Sequence, residues 1–119
     1  MLCGLGYTFF DRSGHAIWGN AVGLRQIETF KVPKLPGLEK IKFTVLCDVL
    51  NPLCGPRGSA KTFSPQKGAT PGQVSQIEQG MEHFASVIQA NTGRNLHFEP
   101  MTGSAGGLAA AFLAFFDTE

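Results

Sequence analysis

An apolar stripe at helical spacing constrains this chain more than any other feature. Val74, Ile77, Met81, Phe84 and Ile88 recur at intervals of three and four residues, directly after Thr70-Pro71, as one face of a helix requires. Thr70 is a good N-cap, and Pro71 suits the first helical position, where the N–H it lacks would have no partner anyway. Asn91-Thr92-Gly93 stops the run. Glu78, Gln79 and Glu82 lie off the stripe, so the five stripe residues are expected to be buried together.

A different period governs Ile41 to Cys47. Ile41, Phe43, Val45 and Cys47 form one apolar face, with Lys42 and Thr44 on the other, which is strand alternation. From Val45 the run is apolar on both faces, as in a strand covered by helices on each side. A further strand is expected at Tyr7–Phe10, closed by the turn residues Asp11-Arg12-Ser13-Gly14. Met1–Leu5 reads as the tail of a helix capped by Gly6, and Gly19–Phe30 as a loop with a short helix. A last helix, Gly106 to Phe116, is apolar nearly all round and is expected to be buried. Strands alternating with helices predict an α/β fold, a single layered domain with the strand ending at Cys47 at its centre.

Composition narrows the function classes. The 119 residues suffice for one domain or part of one, and 43% hydrophobic content with a net charge of +1 argues against disorder. That charge also argues against a dedicated nucleic-acid binder. Cys3, Cys47 and Cys54 contain no C-x-x-C pair, and His15, His83 and His97 are scattered. Neither a disulfide framework nor a zinc site is expected, and a reducing compartment fits. No signal peptide is evident, and the most apolar stretch is too short to span a bilayer. The expectation is a soluble, cytoplasmic protein with no membrane partner.

The chemistry-bearing residues gather around glycine- and proline-rich loops; the chain has fifteen glycines and seven prolines. Asp48 stands at the C-terminal end of the predicted strand, where open α/β sheets bind ligands. It can ligate magnesium, accept a proton from a hydroxyl, or simply cap the turn that follows. Gly55-Pro-Arg-Gly-Ser-Ala-Lys61-Thr62 comes within one residue of a P-loop. Irregular residues before it, Pro65 after it and Ala60 in place of glycine exclude that reading. Arg57 and Ser59 remain as anion contacts. Lys67, between Pro65 and Gly68, can hold phosphate or carboxylate as a point charge. Gly103-Ser104-Ala105-Gly106-Gly107 leads into the last helix, where an anion can approach closely or helix can pack tightly on sheet.

The run Cys47-Asp48-Val49-x-Asn51-Pro52-Leu53-x-Gly55-x-x-Gly58-Ser59-Ala60, followed by Phe63-x-Pro65-Gln66-Lys67-Gly68-Ala69, resembles the bacterial glycerate kinases that form 2-phosphoglycerate. Gly103-Ser104-Ala105-Gly106-Gly107-Leu108 resembles that family's third block. The resemblance implies a fold of two α/β domains, one Rossmann-like and the other inserted in its middle. By that resemblance, residues 1–119 are expected to be part of the inserted domain, with the Rossmann-like domain expected to be absent from them. Three departures stand out: a Gly-Gly-Ser-Ala-Thr-x-Asp segment expected just before Met1 is missing, Met101-Thr102 replace Gly-Ala, and Ala109 replaces a common glycine.

The implied parent activity is ATP-dependent phosphorylation of glycerate, with magnesium. Asp48 is the implied magnesium ligand or base, Arg57 and Lys67 are the implied contacts to carboxylate or phosphate, and Lys67 counts with Asp48 as catalytic. Asn51 and Ser59 would position the reactants, and Gly103, Gly106 and Gly107 would let the last loop approach substrate. Alone, the piece is expected to be inactive, or to be a truncated remnant or interaction module that keeps the fold. Exposed apolar surface on an incomplete fold would favour a homodimer.

Overall fold

A computed structural model describes all of residues 1–119. The chain opens with a 3-10 turn, Leu2–Leu5, rather than the tail of an α-helix, and Gly6 caps it at φ +92°. Three short strands follow: β1 (Thr8–Phe10), β2 (Ala16–Ile17) and β3 (Thr29–Lys31). They form an antiparallel sheet in the order β2-β1-β3, with Phe9 opposite both Ile17 and Phe30. The β1–β2 turn is built by Asp11, whose Oδ1 accepts from the N–H of Ser13 at 2.8 Å and of His15 at 2.9 Å. These donors, His15 foremost, hold the Asp11 carboxyl below its ordinary value. The short helix expected before Phe30 is a 3-10 turn at Gly23–Gln26.

The second half is helical: α1 (Ser59–Phe63), α2 (Pro71–Thr92) and α3 (Leu108–Phe115), with a 3-10 turn at Pro65–Lys67 between the first two. Helix α2 starts and stops where its residues dictate. The Thr70 hydroxyl accepts from Gln73 N–H while the Gln73 side chain accepts from Thr70 N–H, a reciprocal capping box. Gly93 closes the helix in the left-handed conformation.

Burial along α2 departs from the single stripe. Ile88 is fully buried, but Val74, Ile77, Met81 and Phe84 are only half-buried. Ala85, Val87, Gly80 and Glu78, all of them off the stripe, are buried as well. The reason is that α2 is covered on two sides. One core joins Ala85 and Ile88 to Leu53, Cys54, Leu96 and the α3 alanines Ala110 and Ala114. The other joins Val87 to Leu2, Tyr7, Phe9 and Ile27 beneath the sheet. Phe84 and Phe115 pack against both cores. Helix α3 buries Ala109, Ala110 and Ala114, whereas Leu108 is 41% exposed, so its burial is one-sided rather than complete.

Ile41–Cys47 is not a central strand within these residues. It runs extended beside residues 117–119 in parallel, through one bridge, Phe43 opposite Thr118. Phe43 N–H donates to Asp117 at 2.8 Å, Val45 N–H to Glu119 at 3.0 Å, and Glu119 N–H back to Phe43 at 3.0 Å. The predicted alternation survives from Phe43 onward: Phe43, Val45 and Cys47 are half-buried, with Phe43 packed on Phe112 and Phe116, whereas Ile41, expected on the same face, is exposed. On the other face no helix of this chain lies over the segment, and Leu46 is 93% exposed. The helices of these residues are occupied with the antiparallel sheet and with each other.

Candidate active site

Two loops, Asp48–Gly58 and Glu99–Gly107, are laced together by short backbone contacts. Gly103 N–H donates to the Asn51 carbonyl at 2.9 Å, and Met101 N–H to that of Leu50 at 3.3 Å. From the other side, Leu53 N–H donates to the Thr102 hydroxyl at 2.9 Å, and that hydroxyl donates to the Glu99 carbonyl at 2.6 Å. Thr102 is fully buried, so it is the peg on which both loops hang. The approach at Gly103 admits no side chain: a Cβ there would lie 2.3 Å from the Pro52 carbonyl oxygen. Met101, which stands where the resemblance has glycine, takes a φ of +71°, and Ala105 one of +50°. Strain of this kind in non-glycine residues concentrates at functional loops.

The Cys54–Ser59 turn is held with similar economy. Gly58 N–H donates to Gly55 at 2.9 Å, and Ser59 N–H to Leu53 at 3.1 Å. A Cβ on Gly58 would come within 2.5 Å of the Cys54 carbonyl carbon, so only glycine allows the turn to fold back and start α1. The Asn51 amide donates to the Arg57 carbonyl at 2.7 Å and to the Thr62 hydroxyl at 3.3 Å. Asn51, Arg57, Ser59 and Gly103 are thereby gathered at one place, with Asp48 exposed just before them. Arg57 is exposed and Ser59 buried. Gly107 adjoins through Leu53, whose Cδ1 would lie 2.9 Å from a Cβ at that glycine. Gly106 is exposed beside it.

Lys67 shares no side-chain hydrogen bond or ion pair with this group. It lines an open cleft of about 480 Å³ with Ser64, Gly68, Gln73 and Ile77, at the start of α2. Lys61, the lysine of the P-loop-like run, has its ammonium 3.6 Å from Glu78 Oε1. It pairs with a side chain, and α1 is only five residues long, so the P-loop reading fails on geometry too. No group of three or more His, Cys, Asp or Glu side chains lies close enough to cage a metal, and no helix is long and apolar enough to cross a membrane.

Glu78 is the residue that periodicity misplaces. It is 4% exposed, and its Oε1 accepts from Gly55 N–H at 2.6 Å. Beside it the Cys54 thiol is pushed up to about 12, first by burial and then by the charges of Glu78 and Glu82. Such a thiol is inert. No sequence signal marks Glu78, because its burial depends on a loop from elsewhere in the chain closing over α2.

The sequence profile of the Glycerate kinase family matches residues 1–119. Glycerate 2-kinase of Escherichia coli (strain K12) is 32% identical over the whole chain, which covers 32% of that protein. Glycerate kinase of Haemophilus influenzae is 36% identical over 95% of the chain and 30% of its own length. A crystal structure of a Salmonella typhimurium LT2 protein, assigned as glycerate kinase 2, superimposes over the whole chain with a TM-score of 0.92 at 31% identity, covering 32% of that structure. The chain thus spans about a third of the length of the relatives it matches. With its whole length matched by the family profile, the chain belongs to the glycerate kinase family.

Proposed function

We propose that these residues form part of a glycerate kinase, the inserted α/β domain of a two-domain phosphotransferase that converts glycerate and ATP to 2-phosphoglycerate and ADP. The observation that carries this reading is the end-to-end likeness to kinase sequence and structure. In the reaction a glycerate hydroxyl oxygen bonds to the γ-phosphorus, the bond from that phosphorus to the ADP oxygen breaks, and the hydroxyl proton passes to a base. Such transfers demand positioning and charge neutralisation more than covalent chemistry by the protein.

Asp48 is exposed at the edge of the laced loops, free to act as that base or as a magnesium ligand. Magnesium commonly takes one or two protein carboxylates and completes its shell with phosphate oxygens and water. The single carboxylate of Asp48, without an acidic cluster around it, fits an ion that arrives on ATP. Bound there, magnesium would neutralise charge on the phosphates. Arg57 and Lys67 are exposed cations suited to the glycerate carboxylate or to phosphate. Asn51 and Ser59 position the reactants, and the Asn51 NH2 also shapes the loop through the Arg57 carbonyl and the Thr62 hydroxyl. Gly103, Gly106 and Gly107 let the second loop come close to substrate. Glycerate and ATP are the partners, and the cytoplasm, where ATP is supplied, is the compartment.

The experiment is a coupled assay of 2-phosphoglycerate formation by a complete kinase carrying these residues. Asp48→Asn is expected to reduce turnover by roughly 10²–10⁴-fold with the fold intact, the range for a lost acid–base group. Near-normal turnover removes Asp48 from the chemistry. The 119 residues alone are expected to give none, because in-line positioning requires both walls of an interdomain cleft. An inactive complete protein would instead favour a remnant that keeps the fold as an interaction module.

A further inference from the structure

Glu78 is the least explained charge in the molecule. It is 4% exposed, yet its Oε2 is buried with no hydrogen-bond partner. Its other oxygen carries both recorded contacts, the Gly55 N–H at 2.6 Å and the Lys61 ammonium at 3.6 Å. Burying a carboxylate with one oxygen unpartnered is costly. Gly55 and Lys61 flank the segment that carries Arg57 and Ser59. From the front, that segment is tied by Asn51 to the Arg57 carbonyl. Glu78 ties it from behind, through the amide two residues before Arg57 and through the ammonium at the middle of α1.

We propose that Glu78 is a positioning residue of the kinase site: by holding the Gly55 amide and the Lys61 ammonium, it fixes the Cys54–Lys61 segment so that the Arg57 guanidinium is presented to an anionic group of the substrate. This rests on the kinase reading of the site. Glu78 touches no reactant; it acts through the backbone that orients Arg57. It also neutralises Lys61, leaving Arg57 as the cation of this segment without a recorded carboxylate partner.

The two contacts separate by substitution. Glu78→Gln keeps an acceptor for Gly55 but loses the ion pair; Glu78→Asp keeps the charge but withdraws it by one methylene. Both are made in the complete kinase, alone and combined with Arg57→Ala, and steady-state kinetics are measured for glycerate and for ATP. Amide hydrogen exchange is followed in parallel. The expected result is a rise of about tenfold in KM for one of the two substrates with kcat within about threefold, the pattern of lost binding rather than lost chemistry. In the Arg57→Ala background the Glu78 substitutions are expected to cost nothing further, because their effect runs through Arg57. Exchange is expected to quicken at Gly55, Gly58 and Ser59 while Ala85 and Ile88 keep their protection.

Additive losses in the double variants would overturn the proposal, and so would faster exchange spread evenly over α2, which marks general destabilisation. Unchanged exchange at Gly55 and Ser59 would overturn it as well. If the complete protein has no kinase activity, the kinase reading fails. The exchange measurement then still decides whether Glu78 holds the segment.

Discussion

Helix α2 and the extended segment Ile41–Cys47 carry equally clear patterns in sequence, and the chain treats them differently. The helix runs over the whole predicted span, Pro71–Thr92, with its capping box and its glycine stop in place. The extended segment keeps its alternation but makes one bridge and leaves Leu46 93% exposed. Helical hydrogen bonds close within four residues, so a segment that favours a helix contains its own partners. A strand contains none of its partners, and its pattern says only which face would be covered if a neighbour were there.

The sharpest test of that contrast pairs one apolar truncation from each region. Ile88→Ala, in the core shared with Leu53 and Leu96, is expected to cost about 2–5 kcal/mol of stability. Leu46→Ala, on the bare face, is expected to stay within about 0.5 kcal/mol. Denaturant midpoints of the two variants in the same chain measure both. A large loss at Leu46 would mean that the exposed face is covered in solution, by a second copy or by further polypeptide.

A smaller effect probes the local signals themselves. Thr70→Ala removes the hydroxyl that accepts from Gln73 N–H and is expected to cost about 1 kcal/mol. Thr44→Ala, which loses only a 3.3 Å contact between its exposed hydroxyl and Glu119, is expected to cost nearly nothing. Equal losses at the two threonines would break the distinction between self-contained and partner-dependent elements.

The smallest effect lies in the β1–β2 turn, where a strand pair does carry local chemistry. The Asp11 carboxyl is held below its ordinary value of 3.8 by the N–H of His15 and, after it, of Ser13. A depressed carboxyl contributes stability that is present above the ordinary value and lost as pH falls through the folded one. Stability should therefore drop slightly more steeply in acid for the parent chain than for Asp11→Asn, as read from denaturant midpoints through that pH range. Parallel profiles would show that the turn does not depend on the charge.

The candidate site divides along the same line. Asp48, Arg57, Ser59, Gly103, Gly106 and Gly107 stand out as candidates in sequence because loop chemistry leaves marks: glycine where chains touch, proline where helices cannot run, polar groups at a strand's end. Asn51 enters only through the family resemblance. That the Asn51 amide would bond the Arg57 carbonyl and the Thr62 hydroxyl, and that Ser59 would be buried, was not legible, because both follow from how the Cys54–Ser59 turn folds back. Lys67 stands out as a loop lysine, but the cleft it lines with Gln73 and Ile77 of α2 was not legible. Glu78 lies off the apolar stripe in sequence, yet it stands buried with its Oε1 on the Gly55 N–H.

By itself, the sequence determined what is settled over a few residues: where α2 begins and ends, the turns at Gly6 and Asp11–Gly14, the alternating faces of Ile41–Cys47, and the blocks by which the family is recognised. Those features rest on φ preferences, caps and periodicity, which neighbouring residues fully specify. Only the tertiary structure decided that α2 is covered on two sides, that Thr102 laces two distant loops together, and that Glu78 lies beneath the segment carrying Arg57. Burial and pairing across long separations belong to two segments at once, and no window of sequence contains both.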